Sequence, residues 1–122
     1  MEDFYLPIRI DYVSASAIKH KNVDKNHAIK VEMKTIRIIM KELGHQHIDI
    51  LKMDIEGLEF QVVNDMMNLD LDNINIGLFC VETHERFFET RDCIHNFYET
   101  LRNKNFYDCY GTEREPMFIK IE

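Results

Sequence analysis

The strongest constraint on the fold lies in residues 48–67, where a short apolar run passes through Gly57 into a segment with helical periodicity. The run I-D-I-L-K-M-D at residues 48–54 is typical of a strand buried on both faces of a parallel sheet. After Gly57, the apolar residues recur at helical spacing and form one stripe: Leu58, Val62, Val63, Met66 and Met67. A buried strand followed by a helix that packs back on it predicts an α/β fold.

The same alternation continues toward the C-terminus. Residues 74–82 predict a second buried strand, and Thr90 is the expected N-cap of a following helix. The expected buried face of that helix comprises Cys93, Ile94, Phe97, Tyr98 and Leu101. Residues 106–110 and 117–121 predict two closing strands joined by a turn. The predicted sheet is therefore mainly parallel, with an antiparallel C-terminal hairpin.

The first part of the chain is less regular. Thr35 is placed to cap a short helix that ends at Gly44. We expect a single domain in which residues 1–28 form an irregular or extended lead-in and residues 29–122 form the α/β core. Within the lead-in, residues 14–26 are expected to be a loop. A cluster of lysines around His20 and His27 belongs to that loop in our interpretation, as a solvated surface.

Composition excludes several classes of protein. The chain has 122 residues and a formal net charge of −7, which argues against nucleic acid as a partner. No apolar run approaches the roughly 20 residues of a membrane helix, and the N-terminus lacks the features of a signal peptide. The three cysteines are far apart and odd in number, so we expect reduced, buried thiols. Together these features predict a cytoplasmic protein with no membrane partner.

The motif with the most chemical content is K-M-D-I-E-G-L-E at residues 52–59. Asp54 lies at the carboxyl end of the first predicted strand, and Glu82 and His84 follow the second. Because ligands bind beyond the carboxyl ends of parallel strands, these side chains are expected to converge on one crevice. Asp54 or His84 would act there as a general base.

The remaining carboxylates of this region have two interpretations. Glu56 and Glu59, together with Glu82, would shape a substrate pocket or hold a divalent cation, although the sequence alone assigns no metal ligand. Alternatively, acids in the first turn of a helix are stabilised by its macrodipole without any chemistry. His84 would then be a structural, hydrogen-bonded histidine.

The segment at residues 48–59 resembles the K-[IM]-D-[IV]-E-G-x-E signature of FkbM-type methyltransferases. Residues 31–44, the strand end V-E-T-H at residues 81–84, and the closing segments 105–107 and 115–119 are similar to that family as well. By position, the signature residues are Asp54, Glu56, Gly57 and Glu59, and the second strand end supplies Glu82 and His84. The resemblance implies a Rossmann-like fold that uses S-adenosylmethionine to methylate an oxygen, or less often a nitrogen, of a small molecule or sugar.

The resemblance covers only the C-terminal half of the family's fold. Glycines occur only at positions 44, 57, 77 and 111, so the glycine-rich turn that holds the methyl donor is absent, and no cofactor-binding residue is assigned. The donor-binding strands that precede this region in the family are missing as well. We therefore expect the strand at residues 48–54, or the one beside it, to be an edge strand with an uncovered apolar face.

Three functional hypotheses remain open at this point. The first is the C-terminal part of a methyltransferase. The second is a non-catalytic interaction module that self-associates through its exposed sheet edge. The third is a fragment of a longer protein, in which upstream coding sequence supplies the methyl-donor site.

Overall fold

A computed structural model describes residues 1–8, 15–70 and 74–121, which form two β-sheets and three α-helices. The first sheet is an antiparallel pair of β1 (Glu2–Pro7) and β2 (Val23–Val31). The second sheet contains four strands: β3 (Ile48–Met53), β4 (Ile76–Val81), β5 (Phe106–Gly111) and β6 (Pro116–Lys120). The helices are α1 (Ile36–Leu43), α2 (Glu59–Asp65) and α3 (Asp92–Asn103).

The strand order in the larger sheet is β3-β4-β6-β5, and the sheet is mixed. Only β3 and β4 are parallel among the described strands, whereas β4 with β6 and β6 with β5 are antiparallel. The prediction of a mainly parallel sheet is therefore wrong, and the predicted antiparallel C-terminal hairpin is confirmed. The helical crossover α2 makes the single parallel pair possible, because parallel neighbours require a long connection.

The hydrophobic core lies between this sheet and the pair of helices α2 and α3. Phe79 of β4 and Phe118 of β6 are at most 1% exposed, and their ring centroids lie 6.2 Å apart. Phe97 of α3 meets Phe118 edge to face at 5.7 Å. The interior residues of α3 are Ile94, Phe97 and Leu101, with Cys93 and Tyr98 half-buried, which confirms the predicted face.

The opposite face of the sheet carries an uncovered apolar row. Ile50, Leu78, Ile119 and Tyr107 are consecutive cross-strand partners, so they lie side by side across the four strands. Alternation along a strand directs Leu78 and Ile119 away from the face that bears Phe79 and Phe118. Ile50, on the edge strand β3, is 63% exposed. The expected edge strand with an uncovered apolar face is therefore confirmed.

Helix ends follow their sequence signals closely. The Thr35 hydroxyl accepts the backbone N–H of Ile38 at 3.2 Å, and Gly44 closes α1 in the left-handed region at φ 70°. The N-cap of α3 is Arg91, one residue after Thr90, which we predicted as the cap; the Thr90 hydroxyl accepts the N–H of Asp92 at 3.4 Å. Such a difference is within the usual uncertainty of a helix boundary.

The N-terminal lead-in is more ordered than the sequence indicates. The predicted loop at residues 14–26 ends earlier than expected, because β2 begins at Val23. Ser16 pairs with Tyr5 through two backbone hydrogen bonds of 2.7 and 3.0 Å, which hold the loop against β1. Residues 9–14, part of which we expected to be extended, lie outside the described residues.

Two smaller predictions concern cysteines and membranes. Cys80, Cys93 and Cys109 are all free thiols. Cys109 is exposed, so the prediction that all three are buried is wrong.

Among the described residues, no helix has the length and apolar character needed to cross a bilayer.

We predict that Phe118→Ala lowers the free energy of unfolding by about 3–5 kcal/mol, because it removes a ring packed against three aromatic neighbours. The matched control is Tyr110→Ala on the adjacent strand, where the ring is 81% exposed. Its expected cost is under about 1 kcal/mol. Urea denaturation followed by circular dichroism measures both, and equal losses for the two variants would contradict the assigned core.

Candidate functional site

The carboxyl ends of β3 and β4 lie side by side and present one cluster of ionisable groups. The N–H of Glu82 donates to the carbonyl of Met53 at 2.9 Å, which extends the pairing of the two strands past their ends. His84 Nε2 lies 3.6 Å from Asp54 Oδ1 and 3.9 Å from Glu82 Oε2. Glu56 Oε2 is also 3.6 Å from the same nitrogen. The structure thus brings the predicted site residues together around one imidazole, and we call Asp54, Glu56, Glu82 and His84 the acidic crevice.

Glu59 lies behind this crevice rather than in it. Its side chain is completely buried, and Oε1 accepts the backbone N–H of His84 at 2.7 Å and lies 3.1 Å from His84 Nδ1. Oε2 accepts the N–H of Gly57 at 2.9 Å. Because both oxygens of Glu59 accept backbone N–H groups, we assign Nδ1 as a further donor to Oε1. Nε2 is then the ring nitrogen that faces the crevice.

The turn between β3 and α2 requires an unusual backbone. Glu56 and Gly57 both have positive φ, at 54° and 105°. The Ser16 hydroxyl donates to the carbonyl of Glu56 at 2.7 Å, which supports this conformation from the N-terminal loop. A Cβ at position 57 would lie 2.5 Å from Ile18 Cδ1, the end of a side chain that can shift, so it is the positive φ of Gly57 that favours glycine here.

Burial and the neighbouring negative charges have opposite effects on the pKa of His84. Burial favours the neutral ring, but the hydrogen bond to Glu59 and the negative charges of Glu59 and Glu56 outweigh it, so the pKa of His84 is raised above its ordinary value. The crevice therefore favours a cationic group at the position of this ring.

The carboxylates of the crevice repel one another. A hydrogen bond between Glu82 and Asp54 raises the pKa of Glu82, and burial and the charge of Asp54 raise it further. The proximity of Asp54 therefore acts on the pKa of Glu82. The crevice carries an excess of negative charge that one imidazole cannot balance.

His20 is a neighbour of the site that the sequence did not indicate. Its ring is 7% exposed and stacks on Phe87, with centroids 4.0 Å apart and an interplanar angle of 14°. The interpretation of His20 as part of a solvated loop is therefore wrong. Burial and the nearby charge of His84 lower the pKa of His20, which favours the neutral form of its ring. A histidine within a polar, lysine-rich run gives no local signal of burial, because its partner lies far along the chain.

Three residues near the crevice lie outside it: Lys52 of the motif, and Thr83 and Phe87 in the segment after β4. Lys52 Nζ lies 3.9 Å from Glu115 Oε1, on the exposed surface, rather than pairing with a carboxylate of the motif. Thr83 is buried, and its backbone N–H donates to the carbonyl of Arg114 at 2.8 Å. Phe87 lies between His20 and His84, with its ring centroid 5.0 Å from that of His84. The ring of Phe87 therefore packs against the imidazole of His84.

The acidic crevice has two chemical capacities. Its carboxylates can accept a proton from a bound hydroxyl or amine. One ligand atom from each of Asp54, Glu82 and His84 also lies within 4.8 Å of the other two, which is a spacing that suits a metal ion. A separate cavity of about 360 Å³ lies among residues of α1, α2 and the N-terminal loop. None of the crevice residues lines that cavity.

Comparison with known proteins gives one match. A family model described as "Methyltransferase FkbM domain" matches residues 3–107. This range includes the turn between β3 and α2 and both strand ends that form the crevice. No curated protein and no solved structure matches the chain.

We predict that Glu59→Gln destabilises the fold by about 3–5 kcal/mol, because it removes one member of a buried, hydrogen-bonded pair. The amide nitrogen of glutamine cannot accept the hydrogen bond from Gly57. The control is Glu99→Gln on the exposed side of α3, which we expect to be neutral within about 0.5 kcal/mol. Chemical denaturation measures both variants, and a neutral Glu59→Gln would mean that this carboxylate does not hold His84 in place.

Proposed function

We propose that this chain, which belongs to the FkbM methyltransferase family, takes part in methyl transfer from S-adenosylmethionine to an oxygen of a small-molecule or sugar acceptor. The family supplies the reaction class. Transfer to a nitrogen is the less favoured form of the same proposal. The acidic crevice is the acceptor side of the reaction centre.

The single observation that carries this proposal is the convergence of Asp54 and His84 at adjacent strand ends. Crevices of this kind are where open α/β sheets bind their ligands. Asp54 is partly exposed at 45% of its side chain, so an acceptor can reach it, whereas His84 is only 1% exposed. A reachable base beside a fixed, buried ring is an arrangement that can bind and deprotonate a hydroxyl group.

The chemistry required of these residues is limited. S-adenosylmethionine supplies an activated methyl group, and the reaction is a displacement in which the bond from sulfur to the methyl carbon breaks as the bond to the acceptor oxygen forms. The acceptor must be positioned in line and must lose its proton. In our proposal Asp54 takes that proton, and His84, held by Glu59, fixes the position of the acceptor oxygen through Nε2. Glu56 and Glu82 line the rest of the pocket.

The donor side is not assigned to residues of this chain. The four glycines are too far apart to build a glycine-rich turn, so the methyl donor is proposed on the basis of the family alone. Whether the chain binds S-adenosylmethionine by itself is answered directly by isothermal titration calorimetry. Micromolar binding of S-adenosylmethionine would support independent catalysis by this chain. If the titration shows no heat of binding, the chain would supply only the acceptor side of the reaction centre.

We predict that replacing the aspartate equivalent to Asp54 by asparagine slows methyl transfer about 10²- to 10⁴-fold in a complete methyltransferase with the same motif, because a general base contributes about that factor. The assay follows transfer of a radiolabelled methyl group to the acceptor. The counterpart of Asp49, at the other end of β3, is the control and should retain full activity when changed to asparagine. Unchanged transfer in the Asp54 counterpart would exclude it as the base.

A second function is favoured by the uncovered apolar row on the sheet. We propose that the isolated chain pairs with a second copy through the β3 edge and the row Ile50, Leu78, Ile119 and Tyr107. An edge strand offers unpaired backbone groups, and an exposed apolar face gains free energy when it is covered. This non-catalytic association does not require a methyl-donor site.

We predict that Ile50→Lys weakens self-association at least about tenfold, since it places a charge in the contact. Ile29→Lys is the control, because Ile29 is a comparably exposed isoleucine at 51% in the other sheet. Sedimentation equilibrium measures the dimer constant of each variant. A chain that stays monomeric at high concentration, or equal weakening by both substitutions, would rule out this interface.

A further inference from the structure

The ring nitrogen of His84 that faces the crevice has no partner within hydrogen-bond distance among the described residues. The side chain is 1% exposed, and the closest carboxylate oxygens, on Asp54 and Glu56, lie 3.6 Å from Nε2. Hydrogen bonds from nitrogen to oxygen are about 2.7–3.2 Å long. The almost fully buried imidazole thus directs Nε2 at three carboxylates that lie within ion-pair range but beyond the usual hydrogen-bond length.

From this geometry we propose that the acidic crevice is a binding site for one divalent cation, held by Asp54, Glu82 and Nε2 of His84. Neighbouring ligand atoms about 2.1 Å from an octahedral cation lie about 3.0 Å apart. The observed separations of 3.6 Å and 3.9 Å from Nε2 are wider, so an inward movement of the carboxylates is needed to complete the coordination. Both carboxylates are partly exposed, at 45% and 27% of their side chains, which leaves them free to move.

The contacts behind the ring match those of metal-binding histidines. Such histidines usually donate their second ring nitrogen to a carboxylate, which fixes the tautomer and directs the other nitrogen at the metal. Glu59 has this position at His84 Nδ1, and it is itself held by the backbone of Gly57 and His84. This arrangement explains why a carboxylate is buried behind a histidine, which the helix macrodipole alone does not.

The ligand set indicates the kind of cation. Carboxylate oxygens favour hard ions such as Mn²⁺ and Mg²⁺, whereas an imidazole favours first-row transition metals. Two carboxylates with one imidazole therefore suit a first-row divalent ion, and Mn²⁺ is the natural probe. Glu56 lies 3.6 Å from Nε2 and adds negative charge that attracts the ion.

The cation would also serve the proposed methyl transfer, and this part of the inference rests on that function. With a divalent ion bound, the ion would take over from Nε2 the role of positioning the acceptor oxygen, and it would lower the pKa of the acceptor hydroxyl. The carboxylate oxygen of Asp54 that does not bind the ion would then accept the proton. Cation binding itself requires no methyl donor and no acceptor. The two proposals can therefore fail separately.

The test is a titration of the full chain with Mn²⁺, followed through the electron paramagnetic resonance signal of the free ion. We expect one Mn²⁺ per chain, and we expect Asp54→Asn and Glu82→Gln each to weaken binding at least about tenfold. Asp49→Asn is the matched control, because Asp49 lies on the same strand and pairs with His47 at 2.8 Å, away from the crevice. That variant should bind as tightly as the parent chain. Circular dichroism verifies that each variant is folded.

A second measurement identifies the histidine without changing it. Electron spin echo modulation from a directly bound imidazole nitrogen should appear with the parent chain and with Asp49→Asn. The proposal is overturned if millimolar Mn²⁺ does not bind, if the bound ion shows no nitrogen coupling, or if Asp49→Asn removes binding while Asp54→Asn does not. If Mn²⁺ binds here but methyl transfer is unchanged in the Asp54→Asn counterpart of a complete methyltransferase, the proposed function alone is contradicted. If that counterpart loses methyl transfer but Mn²⁺ does not bind, only the cation site is contradicted.

Discussion

The buried contact between Glu59 and His84 is the interaction on which the site depends. A carboxylate without solvent exposure is costly unless its oxygens are satisfied, and here two backbone N–H groups and an imidazole satisfy them. In return, the carboxylate fixes both the position and the tautomer of the ring. The direction in which His84 Nε2 points is thus set by Glu59, which lies behind the crevice and contacts the opposite side of the ring.

Charge in the crevice follows from this arrangement. With Glu59 engaged behind the ring, Asp54, Glu56 and Glu82 remain in front of it, and no lysine or arginine among the described residues forms an ion pair with any of the three. The fold keeps these carboxylates close because they leave two paired strand ends. Their repulsion is a cost to stability that a structural role alone does not explain, and it is consistent with a site that receives a proton or a cation.

Much of this arrangement is predictable from local patterns. The strand at residues 48–54, the helix that follows Gly57 and the closing hairpin all come from periodicity and turn residues, and strand-end placement brings Asp54, Glu82 and His84 together. Two features are not predictable in this way. The mixed sheet depends on where β6 inserts, which is a long-range pairing with no local signal. The burial of His20 depends on Phe87, a partner far along the chain, and the complete burial of Glu59 depends on its contact with the segment after β4.

The turn at Glu56 and Gly57 has a consequence for how the molecule assembles. Its conformation is supported by Ser16 from the N-terminal loop and by Glu59, which in turn bonds to the segment after β4. Three stretches that are remote along the polypeptide must meet before any one of them is correctly shaped. The shape of the crevice therefore rests on contacts between remote segments, so that loosening any one of these stretches removes support from the other two.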